Sequence, residues 1–243
     1  MRFLHFALLL LSAGTSYALE WVLYHPAGVD AAPLAQRVQP LLPQGVKLRL
    51  SALPAGCDSE QDARLHSEAI AAGINSLPAL SLRDARGAYA ALLLSGQSDD
   101  QLREQLAQVQ DLASAPTRSA DTHRRLLTGK LFELRFRLSR AASPAAQDTL
   151  LEHINTLMMA QDTPEDMRQL IALHCLYPAI MQQYAAEYQA RGAHSPRTER
   201  KLLEAIRVLE LARDTNKSTT LGRRAHAERE RLRAARLKSR QYE

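Results

Sequence analysis

The sequence predicts an α/β domain of order βαβαββα followed by an all-α domain of about five helices. Three observations carry that prediction. Residues 73–96 hold two short apolar runs, 79–82 and 88–94, on either side of Arg83-Asp84-Ala85-Arg86-Gly87, which is the pattern of a β-hairpin. Before it, short strand-like runs alternate with stretches of helical spacing. After about residue 121, alanine, leucine, glutamine and arginine dominate, and proline follows serine or threonine at three candidate helix starts.

The elements of the first domain follow in order. Residues 20–25 read as a strand that Pro26 and Gly28 stop. Leu34, Val38, Leu41 and Leu42 recur at helical spacing over 31–42, with Asp30 as the cap and Pro40 as a kink. Residues 46–50 alternate apolar and basic and form a second strand. Ser59 then caps a helix to about Ala72, with Leu65, Ala69 and Ile70 on one face. Gly96 ends the hairpin, and Ser98 with Gln101 makes a capping box for the next helix. Right-handed crossovers make the first two strands parallel, and the hairpin adds an antiparallel pair.

Gly73, Ile74, Leu77-Pro78, Gly87 and Gly96 stand where the thioredoxin-like fold carries a glycine, an aliphatic residue, a cis X-Pro pair, a hairpin and a final glycine before its last helix. Residues 19–113 therefore resemble that family, the matching stretch covering about 21–112. The resemblance implies a cis peptide at Pro78. It also implies a pair of cysteines at the start of the first helix, where the helix dipole lowers the attacking thiol's pKa. Residues 25–36, HPAGVDAAPLAQ, contain no cysteine, and the strand 21–25 has no carboxylate to accept a proton. Dithiol exchange by the family mechanism is excluded.

What the resemblance leaves is a groove of His25, Pro26, Leu77 and Pro78 that takes a peptide or protein partner. Parallel pairing of the first two strands brings the loop with Cys57 to the same sheet end, where open α/β sheets bind ligands. Cys57, alone or with Cys175, defines the alternative reading, a thiol-disulfide oxidoreductase-like enzyme. Asp58 and Glu60 beside Cys57 argue for a raised thiol pKa, and Cys175 lies in an apolar helical stripe.

Residues 114–121 are small or polar with no periodicity and form the linker to a helical domain, 122–243. Helices are expected over 121–140, 144–160, 164–190, 196–214 and 219–240, with Ser143-Pro144, Thr163-Pro164 and Ser195-Pro196 each supplying a hydroxyl cap and a proline at the first helical position. Phe132, Leu134, Phe136 and Leu138 alternate with polar residues, so a strand competes with the first helix. The third must bend near Pro178. The 20- and 32-residue spacings between the Ser/Thr-Pro starts are unequal, which favours an irregular bundle over a solenoid.

Arg2, an apolar run over 3–11 and Ser16-Tyr17-Ala18 read as a signal peptide, 1–18, cleaved before Leu19. The expected product is soluble and exported, periplasmic or extracellular, with no transmembrane span. Residues 1–116 carry 8 basic and 11 acidic side chains, net −3, and 117–243 carry 23 and 15, net +8. The basic tail suits weak contact with anionic envelope components. Export and the lack of an aromatic before Tyr242 in that tail exclude a nucleic-acid partner. The histidines show no i, i+4 pair, so neither a metal site nor a cofactor is expected. The leading reading is a non-catalytic binding or scaffolding protein.

Overall fold

The computed structural model describes residues 19–84, 87–113 and 120–241. The expected signal peptide, 1–18, the hairpin tip at 85–86, most of the expected linker, 114–119, and 242–243 lie outside the described residues. Strand β1 (Glu20–Pro26) is buried from Trp21 to His25, which fits a central strand flanked on both edges. It pairs in parallel with β2 (Leu48–Leu53) and antiparallel with β3 (Ala79–Asp84), and β3 pairs antiparallel with β4 (Gly87–Leu93). The sheet order is β2-β1-β3-β4.

The second strand lies two residues beyond its expected start. Its register, from Trp21 opposite Leu48 to Pro26 opposite Leu53, is set by the length of β1 rather than by the alternation of 46–50. The first helix is also shorter than expected. It runs as α1 (Ala32–Val38) and tightens into a 3-10 turn over Gln39–Leu41, where Pro40 has no N–H to donate to the carbonyl four residues back. The cap position falls to Ala31, whose side chain makes no capping bond, rather than to Asp30, which accepts a hydrogen bond from the Ala32 N–H at 2.9 Å.

Strand alternation divides the sheet into two unlike faces. Trp21, Leu23, Leu80 and Leu82 pack with Val38 of α1 and with Leu102 and Leu106 of α3 (Asp99–Ala113). Val22 and Tyr24 meet Ala69 and Ala72 of α2 (Glu60–Ala72) on the other face. Helix α2 starts on a capping box between Ser59 and Asp62 and ends on Gly73, whose φ of 78° is the left-handed conformation a glycine adopts without cost. Helix α3 starts on the expected box: the Ser98 N–H donates to Gln101 at 2.9 Å, and the Gln101 N–H to Ser98 at 3.3 Å.

Helix α4 (Ala120–Arg140) is unbroken, which settles the strand alternative at 132–138. Among the described residues the sheet is built from β1–β4 alone, and residues 132–138 all lie within this helix. It lies antiparallel along α2, with Arg125 against Gly73, Gly129 against Ser67 and Phe132 against His66. A second core then joins α4 to α5 (Pro144–Met159), α6 (Glu165–Ile171), α7 (Tyr177–Arg191), α8 (Pro196–Thr215) and α9 (Thr220–Gln241), centred on Ile154, Ile171, Ala205 and Leu209.

Two expectations for this part are corrected. The bent helix over 164–190 is two helices joined by a π turn, Ala172–Leu176. Pro178 cannot seat its ring against the carbonyl four residues back, and widening the preceding turn relieves that clash. Ser143 and Ser195 cap their helices as expected, accepting from Ala146 and Thr198 at 3.2 Å. Thr163 does not: Pro164 takes the cap position of α6, and the Thr163 hydroxyl turns back to the Leu157 carbonyl at 2.7 Å. Buried Gln169 then ties α8 to α9, donating to the carbonyls of Ala212 at 2.9 Å and Asn216 at 2.7 Å and accepting from the Thr219 hydroxyl.

Candidate functional site

Strand register builds one end of the sheet from three chain segments. Tyr24 stands opposite Ala79 and Pro26 opposite Leu53, so His25 and Pro26 lie between the end of β2 and the Leu77-Pro78 approach to β3. The Leu77–Pro78 peptide is cis. The Pro78 carbonyl accepts the Leu94 N–H at 3.2 Å, and the Ala27 N–H donates to Leu53 at 2.9 Å, which pins both flanks of this end.

The four expected groove residues reach this end but differ in what they offer. Pro26 and Pro78 are half-buried. His25 is 8% exposed, with Nδ1 at 3.0 Å from its neighbour's carbonyl at Pro26. A carbonyl oxygen only accepts, so Nδ1 is the donor in this contact. Leu77 packs inward against the Val22 and Tyr24 cluster beneath α2, so it supports the site more than it lines it. Val29, which the sequence reading passed over, is 50% exposed in the loop after β1 and supplies apolar surface at this end.

The Cys57 loop follows β2 and leads into α2. Arg140, at the last turn of α4, donates to the Asp58 carbonyl at 2.7 Å, and the Phe136 ring lies 4.7 Å from the Arg140 guanidinium. The end of α4 therefore holds this loop down. The Cys57 thiol is pushed above its ordinary pKa, first by desolvation and then by the Asp62 carboxylate, against the opposing pull of Arg140. The positive end of the α2 dipole, which can activate a thiol, is taken up by Asp62. Asp62 accepts from the Asp58 N–H at 3.2 Å and the Ser59 N–H at 2.9 Å. Cys175 lies in the π turn, 8% exposed, and burial pushes its thiol up as well. Both cysteines are free thiols. Among the described residues, no hydrogen bond joins Cys57 to His25.

Charge gathers at the other end of β1, where sequence reasoning missed it. Arg49 of β2 reaches Glu20 and Glu68, both at 3.1 Å, and Arg83 of β3 reaches Glu68 at 2.7 Å and Glu20 at 3.7 Å. This network fastens α2 to the sheet. Tyr24 is buried beside it, and desolvation followed by the Glu68 charge raises its phenol pKa. The alternation of Lys47, Leu48, Arg49 and Leu50 was the available signal, since it places Arg49 on the face opposite the leucines.

A second concavity of about 480 Å³ lies between α5 and α8, floored by Leu151, Leu176, Ile180 and Val208. Its one buried charge, Lys201, is held by Asp148 at 3.0 Å and Glu204 at 3.1 Å. Burial works to raise the Asp148 pKa, but hydrogen bonds from Lys201 and Gln183 leave it below its ordinary value. This is a satisfied ion cluster on a helix–helix groove. Among the described residues, no group of three His, Cys, Asp or Glu side chains is placed to hold a metal ion, and no helix is long and apolar enough to cross a membrane.

The fold and site together define a four-stranded mixed α/β sheet continued by a helical bundle, with a proline-flanked sheet end. No protein-family model, curated protein or solved structure matches the chain.

Proposed function

We propose that this chain is an exported protein of thioredoxin-like fold, without a dithiol active site, that binds an extended peptide or protein segment at the sheet end formed by Pro26, Val29 and Pro78. The observation that carries the reading is the start of α1, where Ala31, Ala32 and Pro33 occupy the positions a thiol pair would need. The strand order β2-β1-β3-β4 and the cis Leu77–Pro78 peptide support the fold assignment. The helical part acts as a scaffold that braces α2 and the Cys57 loop through α4. Signal peptide 1–18 directs the chain to the periplasm or the exterior.

The alternative, thiol-disulfide chemistry at Cys57 alone or with Cys175, meets two obstacles. One thiol is held protonated by desolvation and Asp62, and the other is buried in the helical core. An insulin-reduction assay with dithiothreitol is expected to show no acceleration over the uncatalysed rate. Maleimide should label Cys57 more slowly than free cysteine at pH 7, because only the thiolate reacts. Turnover that disappears in Cys57→Ser overturns the non-catalytic reading.

A further inference from the structure

Residues 223–243 carry 8 basic and 3 acidic side chains, and the fold sorts most of the described basic ones into two sets. On the bundle side, Arg236 reaches Glu199 of α8 at 2.6 Å and Arg233 pairs with Glu210, while buried Arg229 is held by Glu230. The outer set is Arg224, Arg231 and Lys238. They are seven residues apart, just under two helical turns, and so form one line about 21 Å long. Arg231 shares Glu228 at 2.6 Å and bonds to the Tyr177 hydroxyl, and Arg224 also pulls on the Glu228 carboxylate, whereas among the described residues no salt bridge includes Lys238. Arg223 flanks the line, and its guanidinium goes to neutral acceptors, the Ser218 carbonyl and the Thr220 hydroxyl.

Glu228 offsets part of this charge on the side toward the bundle, and on the other side the line is flanked by Ala227 and Ala234, both exposed and too short to screen it. Leu237, next to Lys238, is 64% exposed. We propose that the outer face of α9 docks the protein onto a membrane surface rich in acidic phospholipids. A straight cationic line with short residues between its members can meet a planar anionic array along its whole length, and Leu237 supplies an apolar tip for the headgroup boundary. Helix α9 has no Phe, Tyr or Trp on which a nucleic-acid base could stack. The contact is electrostatic and peripheral, so it weakens as salt rises.

Co-sedimentation of the full chain with phosphatidylcholine vesicles and with vesicles containing phosphatidylglycerol tests this. The apolar run over 3–11 acts on both vesicle types, so the readout is the ratio of the two partition coefficients. That ratio should be well above one at low salt and fall toward one at 0.5 M salt. Changing Arg224, Arg231 and Lys238 together to glutamine should lower it about a hundredfold, at about fivefold per charge. Changing Lys47, Arg103 and Lys130 to glutamine removes the same net charge elsewhere and should lower it only a few-fold. Equal losses in the two variants, a ratio near one for the parent chain, or tighter binding to duplex DNA than to anionic vesicles would each overturn the proposal.

Discussion

Asp62 serves two neighbours at once. Its carboxylate closes the capping box of α2, and the Ser59 hydroxyl, followed by the N–H groups of Asp58 and Ser59, holds its pKa below the ordinary 3.8. The same charge raises the Cys57 thiol. A carboxyl with a lowered folded pKa contributes stability that is present above its unfolded value and is lost as pH falls through the folded one. Asp62→Asn should therefore lower the melting temperature at pH 7, with the difference shrinking below about pH 4. In the same variant Cys57 should react faster with maleimide at pH 7, by several-fold at most, since desolvation is the larger cause of its raised pKa. A thermal melt across pH 2–7 and a labelling time course check the two halves. An unchanged labelling rate would remove Asp62 from the account of this thiol.

At the scale of elements, α2 and α4 approach so closely that only a glycine fits between them. A Cβ on Gly129 would fall 2.5 Å from the Ser67 carbonyl oxygen, a backbone atom that cannot rotate away. Helix propensity alone favours alanine over glycine by about 1 kcal/mol, but forcing an extra carbon into a packed contact costs about 1–3 kcal/mol. Separating two long helices belongs at the upper end, so Gly129→Ala should destabilise the protein. Chemical denaturation should show a lower midpoint, and a raised midpoint would mean the helices part easily. Gly222 repeats the logic at the α8–α9 corner, where its Cβ would stand 2.0 Å from the Asn216 carbonyl oxygen.

Across the whole molecule, the buried apolar residues form three separate clusters, one on each face of the sheet and one among α4–α9. Helix α4 links the helical core to the Val22–Tyr24 side of the sheet, contributing Leu127 and Leu131 to the former while its other side lies on α2, which covers the latter. Proteolysis within 113–121 cuts the chain but not this contact. The nicked halves are expected to co-elute in size exclusion and to unfold in one transition. Recovery of two independently folded pieces would show that each core stands without the α2–α4 contact. The same bracing places Arg140 on the Cys57 loop, so helical and sheet parts shape the candidate site together.

The alternating short elements, the hairpin, the Ser59 and Ser98 caps and the Ser-Pro helix starts were legible in the sequence because each rests on local spacing and on side chains within four residues. So was the gathering of His25, Pro26, Leu77 and Pro78, since strand order alone brings them to one sheet end. Details that depend on distant partners were not legible. The register of β2 follows from β1, and the π turn answers Pro178 only within a helix already pinned by Ile171 and Ile180. The Thr163 hydroxyl found a nearer orphan carbonyl at the end of α5. The Glu20–Arg49–Glu68–Arg83 network needs three strands and a helix assembled before its charges meet, and the α4 brace on Cys57 joins residues 82 apart in the chain. Local propensity determined the elements; long-range packing, where a contact forms only after chain entropy has been lost elsewhere, decided how they support the site.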